Sequence, residues 1–247
     1  MDKTRECRVL DLLKKITRNK KLELTAVDCK SIAVDEKSKQ FKGARIEATG
    51  KRVYDDVDVR NRKHRYYLYI DIRNKKTQAP IKENEILTVL MLNPSESKEE
   101  KKAGKSFVDP TITNVIRIAK YAKRCGGHAG FSAVEVLNLF SYIAPNPENL
   151  ETNDNADNLA FVQKLIDGKE FNNPIMLAYG GNVPQKLEVY EELIKSLQES
   201  KRLVYAFRYN KDDTPTHPSP YCWKYVREFL SNPEFEPWPR KHTQQHQ

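Results

Sequence analysis

Four apolar runs in this chain of 247 residues each stop at residues that can do chemistry. The run 87–92 stops at Asn93, Pro94 and Ser95, and the run 133–137 stops at Asn138. The run 174–179 meets Gly180, Gly181 and Asn182, and the run 202–207 leads on to Thr216-His217-Pro218-Ser219-Pro220. Short continuous apolar runs bounded by turn signals read as buried strands of a parallel sheet. Open α/β sheets bind ligands beyond the carboxyl ends of their strands, so these ends are expected to form one site. An asparagine amide there can orient a water molecule but cannot take its proton. Ser219 and Pro220 open the next helical stretch, and backbone N–H groups at a helix N-terminus are a phosphate site.

Helices must lie between these runs to carry the chain back. Asp109 is placed to cap a helix with Pro110 at its first position, and Ile112, Val115, Ile116 and Ala119 form its apolar stripe. Gly126 and Gly127 are expected to end it. Leu159, Val162, Leu165 and Ile166 mark a second helix, and Leu187, Tyr190, Leu193, Ile194 and Leu197 a third. Pro220 opens a last one with Cys222, Tyr225, Val226 and Phe229. Alternating strands and helices predict right-handed crossovers. The expected fold is a three-layer α/β/α domain over residues 66–235 with a four-stranded, mainly parallel sheet. Residues 1–65 read as a basic extension with a short helix over 7–16 and antiparallel strands or a hairpin beside the main sheet. Beyond Pro233 the chain is polar and expected to fray, with residues 236–247 as a flexible tail.

Charged residues make up 31% of the chain and apolar residues 38%, with a formal charge of +9. Such a balance points first to polyanionic partners. Arg60-Asn61-Arg62-Lys63-His64-Arg65 runs into Tyr66 and Tyr67, a mixture suited to a nucleic-acid backbone and its bases. A solvated loop before an ordinary strand explains the same letters. Cys7, Cys29, Cys125 and Cys222 lack the spacing of a zinc or thioredoxin-like site and read as free thiols of a reducing cytosol. Phosphate-loop, GxGxxG and HExxH signatures are all missing from the sequence, and neither a metal nor a cofactor is expected. A charged N-terminus, and no run near the ~20 apolar residues of a membrane span, predict a soluble cytoplasmic protein.

Taken in order, the Asn93-Pro94 strand end, the Asn138 strand end and the His217-Pro218-Ser219-Pro220 loop resemble the uracil-DNA glycosylase superfamily over about residues 66–230. Asn93-Pro94-Ser95 with Asp109-Pro110-Thr111 and the late His-Pro also looks like an uncharacterised bacterial and phage branch of it. The resemblance implies that Asn93 positions the attacking water and that His217 stabilises the departing base. Phe107 would stack on the flipped base and Asn138 would read its edge. Gly180, Gly181, Asn182 and Ser219 would contact DNA phosphates, and Tyr221 would fill the gap left in the duplex. Uracil-specific members carry a bulky tyrosine just after the Asn/Asp-Pro pair, where this chain has the small Ser95. That departure implies a pocket for a 5-substituted pyrimidine, such as a modified phage base excised in anti-phage defence. The expected activity is therefore that of a metal-free monofunctional DNA glycosylase, acting as a monomer. A non-catalytic DNA-binding module of the same fold and a small-molecule nucleoside N-glycosidase are the competing readings.

Overall fold

The computed structural model describes residues 3–27, 32–33, 45–46, 48–54, 64–72, 85–94, 109–123, 130–143, 155–168, 171–181, 191–200 and 202–239. In chain order these form α1 (Lys3–Thr17), β1 (Leu24–Val27), β2 (Ile32–Ala33), β3 (Arg45–Ile46), β4 (Thr49–Tyr54), β5 (Arg65–Asp71), β6 (Ile86–Met91), α2 (Pro110–Tyr121) and β7 (Ala133–Asn138). Then follow α3 (Ala156–Asp167), β8 (Ile175–Leu177), α4 (Glu191–Glu199), β9 (Val204–Ala206), a 3₁₀ turn (Pro220–Cys222), α5 (Trp223–Ser231) and β10 (Glu236–Pro237).

The chain is a mixed α/β protein. Among the described residues its main sheet has eight strands in the order β1-β4-β5-β7-β6-β8-β9-β10, with antiparallel pairings outnumbering parallel ones, so the expected four-stranded, mainly parallel sheet is corrected. The four runs 87–92, 133–137, 174–179 and 202–207 supply adjacent, mutually parallel strands: β7, β6, β8 and β9. The other four strands extend the sheet by antiparallel pairing on both sides. What read as a hairpin beside the sheet therefore lies partly within it. β4 pairs with β5 from Thr49↔Asp71 to Tyr54↔Arg65, and β5 pairs with β7 from Leu68↔Val136 to Asp71↔Ala133. Among the described residues, β2 and β3 form a separate two-stranded sheet. At the other end Glu236 and Pro237 pair with Ala206 and Tyr205, so the tail does not begin at 236. Trp238 packs on the core, and its N–H reaches the Val204 carbonyl at 2.9 Å.

Every residue of β6 and β7 is buried, as apolar strands covered on both faces must be. One face is covered by α1, α3 and α4, through Leu13, Phe161, Leu165, Leu193 and Leu197. The other is covered by α2 and α5, through Ile112, Val115, Ile116, Ala119, Val226 and Phe229. Burying each large aliphatic or aromatic side chain contributes about 1.5–3 kcal/mol. The α2 stripe predicted from spacing is thus core. The helix stops at Tyr121 rather than at Gly126 and Gly127, which lie outside the described residues. α1, expected as part of an appended extension, docks on α3 and carries Arg5 onto the buried Glu135 carboxylate at 2.8 Å.

Strand order decides where a ligand can sit. From β6 the chain crosses to β7 on one side and later returns to β8 on the other, so the connections leaving the carboxyl ends of β6 and β8 diverge. Such a switch point opens a crevice.

Candidate active site

A cleft of about 860 Å³ lies at this switch point. Asn93 follows β6, Asn138 ends β7, and Gly180 and Gly181 follow β8. His217, Ser219 and Tyr221 follow β9, and all seven residues line the cleft. Ser95, Phe107 and Asn182 lie outside the described residues, as does the basic stretch 60–63.

Asn93 is half-buried, and its Nδ2 donates to the Pro94 carbonyl at 3.1 Å. Asn138 is almost fully buried. Its backbone is pinned from α3: Asn158 Nδ2 donates to the carbonyls of Asn138 at 2.9 Å and Leu139 at 3.1 Å. Asn155 adds a second clamp, donating to Leu139 O at 2.7 Å and accepting the Ser141 N–H at 3.0 Å. These bonds satisfy the backbone where β7 ends, which a buried chain requires.

The His217 loop is held from three directions. Its own hairpin, bridged between Tyr209 and Pro215, is knit by Thr216 Oγ1 donating to Asn210 Oδ1 and Asn210 Nδ2 donating to Thr214 Oγ1, both at 2.9 Å. From β8, the Gly180 N–H donates to the Pro215 carbonyl at 3.0 Å. Gly180 has φ +86°, and a Cβ there would lie 3.2 Å from the His217 Cβ. At Gly181 a Cβ would come within 2.9 Å of Asp212 and Thr214, so glycine is what lets the two loops meet. From α2, the buried Asn114 Nδ2 donates to the Pro218 carbonyl at 3.0 Å while its Oδ1 accepts from Arg117.

Burial lowers the His217 pKa below its ordinary value, and the Asp109 charge opposes this without reversing it. The imidazole is therefore neutral near pH 7, with one N–H to donate. Burial also pushes the Tyr179 phenol up to about 12, so its hydroxyl is protonated. Asp109 caps α2 as expected, accepting the Thr111 N–H at 2.6 Å, and it also lines the cleft. That second position was not legible from a capping pattern.

Two expectations at the rim change. Pro220 does not start the α-helix: residues 220–222 form a 3₁₀ turn and α5 begins at Trp223. Proline has no N–H, so Ser219 and Pro220 together offer one backbone donor rather than two. Tyr221 is 99% exposed, projecting from the cleft's edge. Arg65 is the cleft residue that sequence reasoning placed elsewhere. It closes the basic run read either as a nucleic-acid-facing stretch or as a solvated loop, yet it is 5% exposed and lines the cleft. No cluster of three or more metal-ligating side chains occurs among the described residues. No helix there is long and apolar enough to cross a membrane.

A family described as a protein of unknown function (DUF1643) matches residues 65–219, more than half of the chain. The chain belongs to this family. The matched span opens at Arg65 and closes at Ser219, so in this DUF1643 protein it contains all the site elements from β5 to the His217 loop. No curated protein and no solved structure matches the DUF1643 chain.

Proposed function

We propose that this protein is a DNA glycosylase that hydrolyses the bond between deoxyribose and a flipped, 5-substituted pyrimidine, leaving an abasic site. The observation that carries the reading is that Asn93 and a neutral His217 share one cleft with Asn138, although up to 124 residues separate them in sequence. The volume suits a nucleotide with room for a substituent. An enzyme acting on a base within a duplex must extrude it into such a pocket.

In this reading Asn93 orients a water toward the sugar's anomeric carbon. The new C–O bond forms as the C–N bond breaks, and the bonding pair leaves with the base. Asp109 supplies the negative charge that balances the electron-poor sugar and accepts the water's proton, which the Asn93 amide cannot do. His217 donates its N–H to the oxygen on which the departing base gathers charge, a role suited to a neutral imidazole in a dry site. Tyr221 stands ready to stack in the gap left in the duplex. The net charge of +9 supplies affinity for the DNA backbone. Attack on modified phage DNA is the biological setting that this substrate class suits.

A second reading has one observation in its favour: Asn93 already bonds the Pro94 carbonyl, as a residue closing a strand would. The same cleft would then hold DNA without cutting it. Alkali-labile site formation in oligonucleotides carrying modified pyrimidines separates the two. Wild type is expected to produce such sites, with losses of about 100-fold or more in Asn93→Ala and His217→Ala. Tight DNA binding without any such sites would favour the binding module.

A further inference from the structure

Arg65 reaches the cleft from the antiparallel side of the sheet, which the chemistry proposed above leaves unused. β5 runs opposite to β7, so its first residue lies at the edge where β7 ends, and the Arg65 N–H donates to the Ser141 carbonyl at 2.8 Å. Its register partner on β4 is Tyr54. Arg52 lies on the same face of β4, two residues earlier, and its Nη1 donates to the Tyr54 hydroxyl at 3.1 Å. Tyr54 also hydrogen bonds Arg65, so two guanidinium groups flank one phenol. Both arginines are nearly sealed from solvent, at 4% and 5% exposure.

The Arg65 Nε is buried without a hydrogen-bond partner among the described residues. Burial, and then the like charge of Arg52, lower the Arg65 pKa, while Tyr54 and Asp109 act the other way. A guanidinium remains cationic even so, and it has donors to offer and nothing to accept with. Leaving one of its donors desolvated and unmatched is costly. Whatever lies beside Arg65 must therefore either supply acceptors or bear that cost.

We propose that Arg65 is the specificity determinant of the cleft, selecting a base whose 5-substituent carries hydrogen-bond-accepting oxygen over one that carries a bare methyl. This rests on the glycosylase reading and deepens it. A cleft that admitted 5-substituted pyrimidines by size alone would also admit thymine, a normal DNA base. A polar wall resolves the conflict. A hydroxymethyl oxygen accepts from Arg65, whereas a methyl group leaves its buried donor unmatched. Sites built to pair with a hydroxyl reject the analogue lacking it far more strongly than apolar pockets reject a difference of size.

The test uses the full chain and matched duplexes carrying 5-hydroxymethyluracil or thymine opposite the same base. Base release and competitive binding are measured together. Wild type is expected to favour the hydroxymethyl base by about 1,000-fold in release and about 10-fold or more in binding. Arg65→Leu is expected to cut that ratio by about 100-fold, mainly through loss on the hydroxymethyl substrate, with Arg65→Lys in between. Equal handling of the two bases by wild type overturns the proposal without any variant that must fold. An unchanged ratio in a folded Arg65→Leu protein overturns it as well. Release of neither base, nor of any modified cytosine, means that the glycosylase reading fails by itself. Competition still decides whether Arg65 selects: a binding preference lost in Arg65→Leu sustains it, and equal binding overturns it.

Discussion

At the scale of single residues, the proposed chemistry depends on a histidine kept neutral and a carboxylate kept nearby. Burial works against the imidazolium, so His217 is expected to titrate below the ordinary histidine value of about 6.5. Following the His217 ring signals by NMR across pH 4–8 gives the midpoint directly, and a midpoint above the ordinary value would contradict the neutral role. The sign for stability follows from the same shift. The unfolded chain takes up the proton first as pH falls, so this histidine costs stability below its unfolded pKa. Asp109 permits a cleaner substitution. Asparagine caps helices about as well as aspartate, so Asp109→Asn should leave the melting temperature within a degree or two. Base release should fall by roughly 100-fold, because the amide keeps the Thr111 bond and loses the charge. Retained activity would remove Asp109 from the chemistry and leave it as a cap.

At the scale of elements, strand order matters more than any one motif. The four apolar runs and the α2 stripe were legible because a continuous buried run and a 3.6-residue period each have one simple solution. The antiparallel half of the sheet was not. β4 and β5 carry Arg52, Tyr54 and Arg65 among their apolar residues, and a basic residue beside tyrosines reads equally as a surface loop. The register Tyr54↔Arg65 brings Arg65, which lines the cleft, beside Tyr54. The docking of α1 was hidden for a similar reason, since Arg5 and Glu135 are 130 residues apart. Burial alone would raise the Glu135 carboxyl. Arg5 outweighs it, with hydrogen bonds from Thr88 and Asn173, and holds it below the usual range. The stability this carboxylate contributes is therefore present above its unfolded pKa and lost as pH falls through the lower folded one. Glu135→Ala strands the Arg5 charge and should cost about 3–5 kcal/mol in urea unfolding. A loss below about 1 kcal/mol would mean that α1 is held by its apolar contacts, with the ion pair contributing little.

At the scale of the whole molecule, two halves of one sheet meet at one cleft. The parallel strands bring Asn93, Asn138, Gly180 and His217 to their carboxyl edge, and the antiparallel strands bring Arg65 to the same edge. The first group carries the proposed chemistry and the second its selectivity. Such an arrangement lets substrate choice change without disturbing the reacting groups. The order of motifs predicted strand ends that share one cleft, whereas the identity of any substrate stayed out of reach of the sequence. Mass spectrometry of the bases released from uracil, thymine, 5-hydroxymethyluracil and modified-cytosine DNA tests the central claim most directly, with wild type, Asn93→Ala and His217→Ala side by side. Wild type is expected to release one oxygenated 5-substituted pyrimidine intact, and neither variant is expected to release any. Release of no base from any DNA that the protein binds, or equal release by wild type and both variants, would contradict the claim.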